Sequence, residues 1–147
     1  MTCLQYYLNE RSNFPLEFAS NLDFKITDKI VRKLIGHFKI YSHNDWRFTG
    51  CKSSHCVTWK NTGKGYFKFS RKHTSLGVIC HELAHAIDIN KRGTSTHSKK
   101  HYIIMKRLIK YCRKNKYIKN LIAKQTISIV AEGNEKKGMS AIAFKWK

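Results

Sequence analysis

Two histidines and a glutamate stand within one short run, CHELAHAIDIN, at His81, Glu82 and His85. At about 100° per residue, positions four apart share a helical face one turn apart, so both imidazoles can reach a single ion. Glu82 lies about 100° round from His81, where it can flank a metal without ligating it. The spacing is that of HExxH, in which two histidines bind Zn²⁺ and the glutamate serves as general base for water. Without a metal or partners, two imidazoles and a carboxylate side by side in an apolar helix would be costly to bury.

A catalytic zinc site needs three protein ligands, leaving one position open. His97 is the expected third ligand, because the short loop containing Gly93 lets the chain reverse and bring it back over His81 and His85. His101, one turn further on, is its rival, and Glu132 is an acidic alternative in an expected strand. Asp88 follows His85 by three residues and falls on the same side. It either orients an imidazole from behind or pairs with Lys91 or Arg92 at the helix end. Tyr102, His101 and His73 are the nearby donors for a developing oxyanion. Cys51, His55 and Cys56 make a weak second metal candidate, since no other cysteine pair accompanies them.

These residues need elements to position them. Thr27 is expected to cap an amphipathic helix carrying Ile30, Val31, Leu34, Ile35 and Phe38 at helical spacing. FKIYSH, CVTWK and YFKFS, rich in β-branched and aromatic residues, read as a small antiparallel sheet. Thr74 or Ser75 caps the helix that holds the histidines, and Gly93 stops it. Thr96 is expected to cap the next helix, with Ile104, Leu108 and Tyr111 on one face. KYIKNLIAK reads as helical, and two alternating runs around GNEKKG suggest a C-terminal β-hairpin over residues 125–147. The first two dozen residues show no clean period and read as irregular. The expectation is one α+β domain over residues 1–147, with its core at about 27–124 and the active-site helix packed on a short antiparallel sheet.

The run from YFKFS to about Leu108 resembles the SprT-like zinc metallopeptidases, which include bacterial SprT proteins and Spartan-type DNA-dependent proteases. Members of that family look like HELAHxx, a loop often containing Gly, then HGxxF or HGxxW; here the register reads HELAHAIDINKRGTSTHSKKHY. The resemblance implies a small zincin-type core, one Zn²⁺ held by His81, His85 and His97, and Glu82 as catalytic base of peptide-bond hydrolysis. Two positions depart from the pattern: Ser98 replaces the small Gly, and His101 stands where the aromatic falls. The four-cysteine zinc ribbon of bacterial SprT proteins has no counterpart in paired CxxC motifs here.

The chain carries 29 Lys+Arg against 9 Asp+Glu, a formal net charge of +20, which favours polyanionic partners. Lys106, Arg107, Lys110, Arg113 and Lys114 form a stripe suited to a phosphate backbone such as that of DNA. Trp46, Trp59, Trp146, Tyr41 and Tyr66 are candidates for stacking on unpaired bases. A protein or peptide substrate and a nucleic acid are therefore the expected partners. The alternative function is a non-catalytic, nucleic-acid-binding protein with a structural zinc. Five unpaired cysteines, no secretory signal and no apolar run of membrane-spanning length give the expectation of a cytoplasmic protein without membrane association.

Overall fold

The computed structural model describes residues 2–19 and 21–135 and is mixed α+β: five helices and a three-stranded sheet. The elements run α1 Cys3–Asn13, α2 Phe24–Phe38, β1 Trp46–Thr49, β2 His55–Thr58, β3 Gly65–Ser70, α3 Leu76–Arg92, α4 Lys99–Lys114 and α5 Lys116–Glu135.

Helix α1 replaces the irregular segment expected at the start of the chain. Its N-terminus is a capping box: the Thr2 hydroxyl accepts from Gln5 N at 3.1 Å, and Gln5 Oε1 accepts from Thr2 N at 2.8 Å. Helix α2 begins four residues before the expected start, because Asp23, not Thr27, caps it, accepting from Ile26 N at 2.8 Å. It ends where Lys39 turns into the left-handed region at φ 55. That turn carries FKIYSH out of any strand, and the first strand forms instead at Trp46–Thr49.

The strand order is β1-β3-β2. The β2–β3 pair is antiparallel as expected, but β1 lies parallel to β3 with Trp46 opposite Phe67, so the sheet is mixed rather than antiparallel. Strand β2 consequently forms an edge next to α3.

Helix α3 occupies the centre, against α4, β2 and β3. Ser75 caps it, accepting from Val78 N at 3.2 Å, and Gly93 ends it in the left-handed region at φ 77, a conformation that suits glycine. Ile79, Cys80, Leu83, Ala84 and Ala86 are fully buried in one core cluster with residues of α2, α4 and β3. A large aliphatic side chain buried this way contributes about 1.5–3 kcal/mol. Gly77 has a separate role, since a Cβ there would lie 2.5 Å from the Phe18 ring.

Ser98, not Thr96, caps α4, accepting from His101 N at 3.4 Å. Helix α5 packs on α2 and α4 and continues to Glu135, so residues 126–131, expected as the first strand of a hairpin, are helical. The remainder of that expected hairpin, with Trp146, lies outside the described residues. Among the described residues no helix is long and apolar enough to cross a membrane.

Candidate metal centre

Helix α3 projects His81 and His85 from one face, and the turn after Gly93 returns the chain so that His97, one residue before the α4 cap, closes the third side. Nε2 of His81 lies 3.2 Å from Nε2 of His85 and 3.2 Å from Nε2 of His97. Nitrogens bound to one tetrahedral zinc at 2.0–2.1 Å stand about 3.3 Å apart, so the spacing fits a single ion. Among the described residues this trio is the group whose ligand atoms converge within 4.8 Å, and it can hold a metal ion.

The partners of the opposite ring nitrogens fix the direction of the lone pairs. His81 Nδ1 meets both oxygens of Glu10, at 2.7 and 2.8 Å. His85 Nδ1 lies 2.7 Å from Ser95 Oγ, and Ser95 donates onward to Asp88 Oδ2 at 2.7 Å. With Nδ1–H donating outward on both rings, each Nε2 is an unprotonated donor turned inward. Burial favours the neutral rings: it lowers His81 to about 4 and His97 below its ordinary value, and burial with the neighbouring histidines lowers His85 to about 2. The inward lone pairs of His81 and His85, 3.2 Å apart, repel unless a cation lies between them.

Asp88 is buried and serves two groups at once. Arg92 donates to it from Nε at 2.6 Å and from a terminal nitrogen at 2.7 Å, while Ser95 links it to His85. The Arg92 hydrogen bonds hold its carboxyl below the usual carboxylate range.

His101 is fully buried, and both its nitrogens are engaged. Nε2 lies 2.9 Å from the His81 carbonyl and must donate, so Nδ1 accepts from the Tyr6 hydroxyl at 2.6 Å. The ring stacks on His85 at 4.0 Å. It braces His85 and the α3 backbone, and His97 is the third histidine of the group that can hold a metal ion.

Glu82 is 5% exposed, with Oε1 3.8 Å from His81 Nε2. Burial first, then the nearby Glu10 carboxylate, pushes its carboxyl well above the ordinary range; a hydrogen bond from the Cys56 backbone opposes this. Glu10 is likewise pushed up to about 8 by burial, opposed by His97 and Arg11. A cation at the three Nε2 atoms would reverse both shifts by favouring the carboxylates.

The sequence gives no local sign of the α1 contribution. Tyr6 holds His101 and stacks on His97 at 4.9 Å, Tyr7 brings its hydroxyl to 3.4 Å from His97 Nε2, and Glu10 supports His81. The Thr2 and Gln5 pair was the available signal for a helix there. Of the expected oxyanion donors, His101 is engaged, Tyr102 Oη accepts from Asn13 Nδ2 at 3.0 Å, and His73 lines a cleft beside Glu82. Glu132 lies in α5, not in a strand. Cys51, His55 and Cys56 form no metal-holding group among the described residues, and Cys80 is core.

The basic stripe is partly dismantled by packing. Lys106, Arg107, Lys110 and Lys114 are exposed on α4, but Arg113 turns inward. Its guanidinium pairs with buried Glu17 and lies over the Phe14 ring at 5.6 Å, so it is not free for phosphate. Trp46 is buried and donates to Asp28 at 2.8 Å, whereas Tyr41 and Trp59 are exposed. Comparisons with protein-family models, curated proteins and solved structures found no match for this chain.

Proposed function

We propose that the chain is a zinc-dependent peptidase in which His81, His85 and His97 hold the ion and Glu82 is the general base. The observation that carries this reading is the pairing of an open three-histidine donor set with a buried carboxylate 3.8 Å from His81 Nε2, beside a cleft of about 380 Å³. A structural zinc normally has four protein ligands, and here three converge among the described residues. The HELAH register and its resemblance to SprT-like metallopeptidases support the same assignment.

Zinc in such a donor set supplies positive charge that acidifies water and polarises a carbonyl. Glu82 accepts a proton from a water whose oxygen bonds to the peptide carbon. It delivers that proton to the amine as the C–N bond breaks, so water is added across the peptide bond. A cation at the three histidines favours the ionised form of Glu82, the form that accepts this proton. Tyr7, whose hydroxyl is held protonated up to about 12 by burial and by Glu82, lines the cleft 3.4 Å from His97 Nε2 and is the donor to a developing oxyanion.

The net charge of +20 and the exposed Lys106, Arg107, Lys110 and Lys114 favour substrates associated with nucleic acid. A non-catalytic nucleic-acid-binding protein with a structural zinc is the second reading, favoured by that charge alone. The test is Glu82→Gln: it should keep zinc and lose cleavage of unfolded protein substrates, assayed with and without DNA. Full activity in Glu82→Gln would overturn the mechanism. No cleavage by wild type, with DNA binding that weakens steeply with salt, would favour the second reading.

A further inference from the structure

The cleft beside Glu82 has two unlike ends. One wall is the outer face of α1, where Leu4 and Leu8, one turn apart, are 68% and 56% exposed and Tyr7 is 39% exposed. Val78, His81 and Glu82 line the same cleft. Exposed leucines on the same helical face, turned into a concavity, are a binding feature more often than scattered surface leucines are.

Arg11, three residues beyond Leu8 along α1, brings positive charge to the end of that wall away from Leu4. Arg11 and Lys52 line the cleft, and it continues into a smaller concavity lined by Arg11, Lys72 and His73. Arg11, Lys52 and Lys72 form no ion pair among the described residues. They come from three separate segments, the first helix, the β1–β2 loop and the turn before α3; Arg11 borders both concavities, Lys52 the larger and Lys72 the smaller.

We propose that this cleft binds an extended peptide, seating a large apolar side chain between Leu4, Leu8 and Val78 and a carboxylate at the Arg11, Lys52 and Lys72 end. The assignment rests on the peptide-hydrolysing reading above and gives it a specificity: cleavage next to an apolar residue that is followed by an acidic group. That group is an acidic side chain or a chain-terminal carboxylate, which present the same chemistry to the three cations. The exposed side chains of Leu4 and Leu8 offer a phosphate or a base edge no polar partner and so favour an apolar peptide side chain, while Tyr7, Phe18 and His73 are rings on which a base can stack, which makes an oligonucleotide the competitor in the test.

The test is binding of fluorescein-labelled peptides to full-length Glu82→Gln loaded with zinc, read by anisotropy. The peptides place Leu or Ala at the centre, and Asp, Lys or the free C-terminal carboxylate two positions later. The Leu–Asp or Leu–carboxylate peptide should bind about tenfold tighter than the Ala or Lys versions, and the stronger of the two identifies the natural acidic group. Leu8→Asp should remove the preference for Leu, and Lys52→Glu the preference for the acidic group; both positions are exposed, so neither substitution opens the core. Equal binding of all peptides, indifference to both variants, or displacement of the peptide by a single-stranded oligonucleotide in competition would each overturn the assignment. Selective binding supports it even where wild type fails to cut the same peptides, a result that would count against hydrolysis alone.

Discussion

The Glu10 carboxylate, at the end of the first helix, meets His81 Nδ1 at 2.7 and 2.8 Å across 71 residues of sequence. It fixes the tautomer and direction of the His81 ring, and a carboxylate in that position raises the basicity of the opposite ring nitrogen. Glu10→Gln should weaken zinc affinity by about 10–100-fold, measured by competition with a chromophoric chelator. Unchanged affinity would remove α1 from the metal centre.

The Ser95 hydroxyl makes a lighter version of the same connection, passing from His85 to Asp88. Ser95→Ala leaves Asp88 its Arg92 partner but takes the acceptor from His85 Nδ1. Zinc affinity should fall by less than in Glu10→Gln, roughly tenfold, with the melting temperature of the zinc-free chain nearly unchanged. A large loss of stability without loss of affinity would make Ser95 a structural residue only.

Raising the pH above 6 should act differently on the zinc-free and zinc-loaded chains. His81 and His101 are lowered to about 4 and His85 to about 2 from 6.5, so below that value the folded chain binds fewer protons than the unfolded one and loses stability as pH falls. Glu10 is raised to about 8 from 4.5 and Glu82 is raised too, so the folded chain binds more protons above 4.5 and loses stability as pH rises toward 8. With chelator present, melting temperature should therefore peak at about pH 6 and decline toward pH 8. With zinc present the alkaline decline should vanish, because the ion favours both carboxylates and competes with protons for the imidazoles. Identical pH profiles with and without zinc would contradict a metal at this position.

Where the site is legible in the sequence, its residues lie within one helix and the loop after it. His81, Glu82, His85 and His97 are local, and helical periodicity with Ser75 and Gly93 as stops is enough to orient them. The α1 residues escape because the helix inverts the usual pattern. Glu10 and Tyr6 point inward to serve histidines, while Leu4 and Leu8 face outward along the cleft. An apolar period cannot register on a helix whose buried face is partly polar. The parallel β1–β3 pairing escapes for a different reason: it sets Trp46 and Phe48 directly beside Phe67 and Phe69 on strands that have β2 between them in the sequence, a partnership that alternation within each strand does not encode. Arg113 shows the limit of reading a charge stripe, since its buried partner Glu17 belongs to a distant segment.

The central claim is that His81, His85 and His97 together hold one zinc, and zinc content tests it most directly. Full-length wild type and His97→Ala, purified side by side without chelator, should give about one zinc per chain and nearly none, respectively, by elemental analysis. Wild type without zinc after reconstitution, or His97→Ala retaining as much as wild type, would contradict the three-histidine centre and with it the proposed chemistry of Glu82.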